Sequence, residues 1–507
     1  MPVTTLLEPA VPRAQSAPVR VDVRVEETPL PPHEPLALYS ALAGRLGTED
    51  VFLLESPEGP LQDRGRAVVG QGRLAEIEVH AGHVRVSGRA EVARALLATA
   101  DHLGMPALGP DTRALDRPGR VWDFLGAAQR LFRLHTHVPD DAFAFGFVTT
   151  IGYEAAWHME DLPARAHPDS GPDCVLTLFR DTVHYDLATG AVRRLRAHAE
   201  VFGPPPGPDP VAAALADLPE VAGVPEAPEP RSVRDSTARG TFLARAERCL
   251  AHIGVGDVYQ IQIGHSIEVD TGLTPLQVYR RLRSRNPSPY MYLVPRAGTT
   301  LIGASPEMLV AAQGDRLVMR PIAGTAPRSG DADTDARRVA ALSADEKERA
   351  EHIMLVDLCR NDIGRVCLPR TLRTEQLMTV ETYSHVFHLV STVSGTLDPA
   401  HDTWSVLRAT FPAGTVTGAP KIRSMELIQE LEDGPRGMYA GAVGLVDVRG
   451  WSLLALCIRT VVHDGAVYRT QACAGIVADS RPEREWHETL HKMAAAHWAL
   501  TGKELLP

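Results

Sequence analysis

The sequence predicts an α+β fold built on large antiparallel sheets. Two observations carry that prediction. Strand-like and helix-like segments come in separate clusters along the chain, where a doubly wound fold would alternate them strictly. The 507 residues are 44% apolar and 23% charged. That is the balance of a soluble globular protein long enough for two or three ordinary domains or one large two-layer body.

Taken in order, residues 1–20 are rich in Pro, Val and Ala and are expected to be disordered. A strand is expected from Val21, where VDVRV alternates. Leu36 to Leu46 reads as a helix ended by Gly47, and Phe52 to Ser56 as a strand. Leu74–Gly88 reads as a hairpin, Ala90–Leu103 as a helix, and Phe143–Tyr153 as an apolar strand. CVLTLFRDTVHYD is a further strand, paired across a Thr-Gly turn with Ala188–Arg196. Residues 203–232, opening within FGPPPGPDP and containing VPEAPEP, form the best linker. It separates an N-terminal region, 21–202, from a C-terminal region, 233–507. The latter opens with a helix, Thr237–Ile253, closed by Gly254 and Gly256. A strand (Asp257–Val269), a helix (Pro275–Arg285) and strands near Met291–Val294, Thr300–Ala304 and Leu309–Ala312 follow.

The formal charge of −11 argues against nucleic acid as a partner. It also means that an anionic substrate needs local cations, from a metal or from buried arginines. Six cysteines (Cys174, Cys249, Cys359, Cys367, Cys457, Cys473) are scattered without C-x-x-C spacing. That disfavours zinc and disulfides and suits a reducing cytosol. No run of about 18 apolar residues suggests a membrane span. The N-terminus lacks a basic stretch followed by an apolar core, so no secretory signal is expected and a cytoplasmic location is.

The chain is organised around Asp345–Arg365, DEKERAEHIMLVDLCRNDIGR. Its apolar spacing predicts a helix, and Glu348 and Glu351, three apart, share one face. Side-by-side carboxylates repel unless a cation or proton sits between them. A solvated charged face explains one such pair. A second occurs near the C-terminus, Glu485 and Glu488 in RPEREWHETLHK. Two such helices facing each other would offer a hard-oxygen site suited to Mg²⁺. In FPAGTVTGAPK, Thr415, Thr417 and Gly418 precede a helix expected from near Pro420. The loop is either an anion cradle or a plain turn with Pro at the helix start. Arg459, in apolar LLALCIRTVV, is expected on a strand, where it pairs with a substrate carboxylate or a structural acid.

GDVYQIQIG, NPSPYMYL, IGASPEML, RPIAGT, YSHVFHLVS, YAGAVG and AGIVADS complete a series of unusual segments between residues 254 and 496. Together they resemble the chorismate-utilising enzymes, most closely the large subunit (component I) of anthranilate synthases. The N-terminal FLLESPEG and FVTTIGYEAAW match more weakly. The resemblance implies an antiparallel β-sandwich with surrounding helices, and Mg²⁺ held by Glu348, Glu351, Glu485 and Glu488. It places the enolpyruvyl carboxylate of chorismate at Tyr439, Arg459 and Gly475, the ring carboxylate at Gly324 and Thr325, and Lys421 close by. Glu307 is implied as the acid that protonates the departing ring hydroxyl. His388, rather than His385, is implied beside the ring, aiding loss of pyruvate. Thr415 and Gln260 complete the implied catalytic set.

Two positions separate the family's reactions. Where isochorismate synthases carry a water-activating lysine, this chain has Gln260, and where aminodeoxychorismate synthases carry a nucleophilic lysine, it has Ala323. Neither residue can take those roles, which leaves ammonia as the nucleophile. No cysteine sits on a Gly-flanked elbow, so ammonia is expected from a separate glutamine amidotransferase subunit, in a hetero-oligomer, or from free ammonium. The implied product is anthranilate, with pyruvate, at the entry to tryptophan synthesis. The alternative is 2-amino-2-deoxyisochorismate, released before pyruvate is lost. Leu54, Glu55 and Ser56, with Asn286, Pro287, Tyr290 and Met291, resemble the tryptophan feedback pocket of anthranilate synthases. Two departures stand out. DRGRAVVG replaces an expected Arg-Tyr-Ser-Phe run, and Gly264–His265–Ser266 replaces a Ser-Gln-Arg run.

Overall fold

The computed structural model describes residues 20–168, 170–204, 207–221, 223–384 and 386–506. The expected disorder of residues 1–20 thus falls, except at Arg20, outside the described residues, as does His385.

Two long strands, Arg66–Val79 and Cys174–Asp186, pair antiparallel along their whole length. The ladder shifts register between Arg73 and Ala75, next to Gly72 at φ +76°. A bulge beside a left-handed glycine bends the pair, so its two halves lie in different layers. Beyond residues 66–71 come Val51–Ser56, Tyr290–Arg296, Thr299–Ser305, Thr460–His463, Tyr468–Ile476 and Gln260–Asp270, in that order. Beyond residues 174–178 come Gly146–Ile151, Ala442–Asp447, Ser452–Leu456, Met308–Gln313, Arg316–Met319 and Val386–Thr396. Every ladder here is antiparallel; one parallel pair joins Val21–Leu30 to Phe132–His135.

The interior between the layers is apolar. Phe52, Tyr292, Val294 and Leu301 of the first layer meet Val148, Val443 and Leu445 of the second. Helices cover both outer faces. Pro35–Leu46, Pro275–Arg285 and Pro482–Thr501 pack on the first layer. Ala90–His102, Arg120–Arg130, Glu346–Gly364 and Thr403–Thr410 pack on the second. The fold is the expected α+β sandwich. Strands from both sides of 203–232 pair in each layer, Val51–Ser56 with Tyr290–Arg296 and Gly146–Ile151 with Ala442–Asp447. The chain before and after that segment therefore builds one sheet network.

Candidate active site

The two carboxylate helices form as expected. Asp345 caps Glu346–Gly364, its side chain accepting from the backbone N–H of Lys347 and Glu348. Pro482–Thr501 starts with Pro at its first turn. Burial raises the pKa of Glu348, Glu351 and Glu485 above the carboxylate range, and the charge of Glu488 raises each further. The four side chains thus share one field, with Lys347 and Lys492 at its edge. Lys492 bridges Glu488 at 2.7 Å. Among the described residues no three His, Cys, Asp or Glu side chains are gathered closely enough to hold a metal by themselves. With Glu485 buried, Glu348 and Glu351 half-buried and Glu488 exposed, this repelling, all-oxygen set still fits Mg²⁺, which keeps several waters and takes part of its shell from a substrate.

Gln260, only 1% exposed, touches this cluster: its Nε2 donates to Glu351 Oε1 at 2.9 Å. Its amide oxygen has no partner among the described residues. Gly475 faces the same place, opposite Gln262. A Cβ at Gly475 would lie 2.8 Å from the amide nitrogens of both Gln260 and Gln262, so the narrow floor needs glycine.

Gly324, at φ +54°, forms the bulge in Ile322–Pro327. A Cβ there would come within 3.1 Å of Glu348 Oε2, which puts the glycine beside the acidic cluster. Across the ladder, His388 Nδ1 lies 3.1 Å from Gly324 O and 3.1 Å from Thr325 Oγ1. Burial first, then the Arg459 charge, lowers the His388 pKa to about 4, so the ring is neutral at pH 7. The Gly324 carbonyl can only accept, which places the proton on Nδ1 and the lone pair on Nε2.

Arg459 corrects a sequence expectation. It does not lie on a strand: it sits at φ +52° between Ser452–Leu456 and Thr460–His463. That turn-like backbone swings its side chain toward Tyr439 and Glu488, whose charges act on it. Its guanidinium has no ion-pair partner among the described residues, and burial lowers its pKa. Tyr439 is buried, its hydroxyl accepting from the backbone N–H of Cys473 at 3.0 Å.

Glu307 is 7% exposed, and Thr415 Oγ1 donates to its Oε1 at 3.1 Å. Burial pushes its pKa up to about 8 against that hydrogen bond. A small cavity lined by Met308, Leu355, Leu358 and Cys359 adjoins it. The 415–418 loop is not an open anion cradle. Thr417 Oγ1 donates to Ala413 O at 2.8 Å, and Gly418–Ala419 pairs with Gln260–Ile261. Lys421 is salt-bridged to buried Asp362 at 3.0 Å.

The two effector-like segments also meet: Leu54 and Glu55 pair with Tyr292 and Met291. Glu55 is buried and accepts from Tyr279 and from Arg283 at 2.6 Å. Pro287 O accepts from Ser384, and Asn286 Nδ2 reaches Ser288. The Tyr290 hydroxyl donates to Asp63 at 3.0 Å. Asp63, from the altered DRGR run, is also held by Arg320, which binds Glu381. Ser56 ends its strand beside Arg66.

Sequence reasoning missed the support behind Tyr439. Arg436, 4% exposed, makes two bonds to Glu432 and donates to the carbonyls of Val416 and Gln262. Its guanidinium lies 5.6 Å from the Tyr439 ring centroid and 4.9 Å from that of Tyr153. The i, i+4 spacing of Glu432 and Arg436 was the one local signal.

The site thus brings together an acidic cluster, an arginine with no ion pair among the described residues that lies within reach of the Glu488 and His388 fields, a carboxyl kept protonated by burial and a neutral histidine. A family profile described as chorismate binding enzyme matches residues 95–497. The chain is 47% identical over 501 residues to a 2-amino-4-deoxychorismate synthase of Streptomyces globisporus, covering 97% of this chain and 99% of that one. It is 45% identical over 382 residues to the anthranilate synthase component 1 of Streptomyces coelicolor, 71% of this chain and 74% of that one. The crystal structure of anthranilate synthase component I from Streptococcus pneumoniae superposes with a TM-score of 0.69 at 28% identity, over 85% of this chain and 92% of that one. The chain belongs to the chorismate-binding enzyme family.

Proposed function

We propose that this enzyme adds ammonia to ring carbon 2 of chorismate with loss of the 4-hydroxyl, and releases the product with its enolpyruvyl group intact. That product is 2-amino-4-deoxychorismate, the same compound as 2-amino-2-deoxyisochorismate. The observation that carries the reading is the near end-to-end likeness to the Streptomyces globisporus synthase. The likeness to the Streptomyces coelicolor anthranilate synthase covers less of both chains.

The residues divide the work as follows. Arg459, with Tyr439 beside it, receives the enolpyruvyl carboxylate, and Gly475 leaves room for it. The ring carboxylate lies at Gly324 and Thr325. Glu348, Glu351, Glu485 and Glu488 would hold Mg²⁺, which when bound supplies the positive charge this end lacks. The Gln260 amide oxygen, buried and unpartnered, accepts an N–H of ammonia and aims its lone pair at carbon 2. As the carbon–nitrogen bond forms, the two ring double bonds shift and the carbon 4–oxygen bond breaks. Glu307, protonated below about pH 8, gives its proton to the departing hydroxyl, which leaves as water. The ammonium formed at carbon 2 then loses a proton. Ammonia reaches the site from an amidotransferase subunit or from free ammonium. Five of the six cysteines are buried, and none sits on the Gly-flanked elbow that a glutaminase nucleophile needs.

One observation favours a second reading, onward conversion to anthranilate and pyruvate. Neutral His388 with a free Nε2 is equipped to remove the carbon 2 hydrogen, after which the enolpyruvyl oxygen leaves carbon 3 and the ring becomes aromatic. Product analysis decides between them: purified protein, chorismate, Mg²⁺ and ammonium salt, followed by mass spectrometry. An amino acid retaining the enolpyruvyl group, without pyruvate, supports the proposal. Anthranilate with stoichiometric pyruvate replaces it by the second reading. No consumption of chorismate, even with an amidotransferase present, leaves a non-catalytic regulatory homologue.

A further inference from the structure

His265, one of the departures in the sequence, occupies an unusual place. It lies on Gln260–Asp270, the strand that begins at Gln260. Ile261 and Ile263, at alternate positions on the same face, belong to the core under the C-terminal helix, with Phe242 and Trp486. His265 continues that face, where the pattern calls for an apolar residue, and is 2% exposed. Both ring nitrogens are bound: Nδ1 to Asp235 Oδ1 at 2.7 Å and Nε2 to Thr489 Oγ1 at 2.8 Å. Asp235 is fixed in turn by the backbone N–H of Thr237 at 3.0 Å. The imidazole stacks on the Trp486 indole, 4.4 Å between centroids at 14°. Phe242 packs edge-on against both rings.

The ring therefore grips Pro482–Thr501 at two points one turn apart, Trp486 and Thr489. Each directly follows one of the acidic residues of that helix, Glu485 and Glu488. A grip on one face of a helix opposes rotation about its axis. Rotation is the motion that would carry Glu485 and Glu488 away from Glu348 and Glu351 on the opposing helix. Helix packing on apolar contacts alone tolerates small rotations, whereas a hydrogen bond at 2.8 Å with a stacked ring does not.

We propose that His265 is a positioning residue: anchored by Asp235, it sets the rotation of the C-terminal helix and thereby the affinity of the four glutamates for Mg²⁺. The inference rests on the reading of those glutamates as the Mg²⁺ site. Supporting hydrogen bonds around metal ligands typically change affinity by about 10- to 100-fold.

The test is Mg²⁺ titration of the full chain by calorimetry with chorismate present and ammonium absent, so that the substrate's share of the metal shell is available and no turnover occurs, with thermal melts as a check on folding. His265→Asn keeps a donor at the Nδ1 position and loses the bond to Thr489; its Mg²⁺ affinity falls about tenfold. Thr489→Val, which also gives up the bond from Thr489 Oγ1 to Trp486 O, falls by at least as much, and the double variant falls no further than Thr489→Val, because the bond to His265 is common to both changes. His265→Gln, whose amide nitrogen reaches the Nε2 position, holds Mg²⁺ within about threefold of wild type. Glu351→Gln serves as the control for the metal site. If it loses Mg²⁺ while His265→Asn and Thr489→Val bind as wild type does, the positioning role is refuted and the metal assignment stands. If wild type binds no Mg²⁺, the metal assignment fails and the positioning role fails with it. Melting losses of equal size in the Asn and Gln variants, with equal Mg²⁺ affinity, reduce His265 to a core residue.

Discussion

Replacing Glu307 by Gln removes the proposed acid while keeping its size and its acceptor for the Thr415 hydroxyl. Each tenfold change in ionisation costs about 1.4 kcal/mol, so the rise from 4.5 to about 8 amounts to about 5 kcal/mol held against the charged form. Its main cause is burial, opposed by the Thr415 hydrogen bond and the charge of Lys492. Two consequences follow with fixed sign. Turnover needs the protonated form, so the rate falls as pH rises through about 8. Because the folded chain binds this proton more tightly than the unfolded one, stability from this group is full below about 4.5 and is lost as pH rises to about 8. The Gln variant should therefore lose about 10²- to 10⁴-fold in kcat yet melt higher than wild type at mildly alkaline pH, with little difference near pH 4.5. Thr415→Val withdraws a donor from the carboxylate and moves the alkaline limb to higher pH. The assays are a pH–rate profile of chorismate consumption and calorimetric melts across the same range. A rate flat from about pH 6 to about pH 9, or a Gln variant within about tenfold of wild type, refutes the role of Glu307.

Arg459→Lys replaces a planar fork by a point charge at the end built for a carboxylate; chorismate should bind more weakly by roughly 1–3 kcal/mol. Unchanged affinity in a competition titration removes Arg459 from the site. Lys421→Met strands Asp362, whose pKa burial already raises to about 6 despite Lys421. Loss of one partner of such a buried pair costs about 3–5 kcal/mol. Here the loss grows as pH rises above about 6, because only the ionised carboxylate suffers; melts at acid and alkaline pH compare the two. An equal loss at both would show that packing, not charge, is what Lys421 provides.

The parts of this fold legible from sequence are those set by local spacing. Pro275–Arg285 has the predicted bounds because Thr274 and Gln277 form a capping box and Pro275 opens the helix. The pairs Glu348/Glu351 and Glu485/Glu488 could be placed on helix faces from their i, i+3 spacing alone. What sequence hid is set at long range. LLALCIRTVV is apolar throughout and reads as one strand, yet Cys457 and Arg459 leave the ladder, and only the leftward turn at Arg459 aims its guanidinium inward. Phe143–Tyr153 likewise contracts to Gly146–Ile151, with a 3₁₀ turn from Tyr153. The Asp63–Arg320–Glu381 group joins residues more than 250 positions apart, and no periodicity reports such a pairing. The sharing of both layers by the two halves of the chain also escaped, because strand pairing across a linker leaves no local trace.

Several buried and half-buried carboxylates of this acidic chain differ in how each avoids isolation. Glu55 is held by Arg283 and Tyr279, Glu432 by Arg436, and Asp362 by Lys421. These charges are matched inside the protein, and their work is to fix the strands and helices that carry them. Glu307 has a hydroxyl and no ion pair among the described residues; burial keeps it protonated, which suits an acid and nothing else. Glu348, Glu351 and Glu485 belong to neither group. They carry no ion pair among the described residues, and their pKa values rise through burial and through each other's charge or that of Glu488. Arg459, within reach of the Glu488 field, also has no ion pair among the described residues, with the opposite sign. The site therefore holds unlike charges that the described residues leave without ion pairs. On the function proposed above, a cation answers the first and a carboxylate the second, and a substrate carrying two carboxylates would meet both.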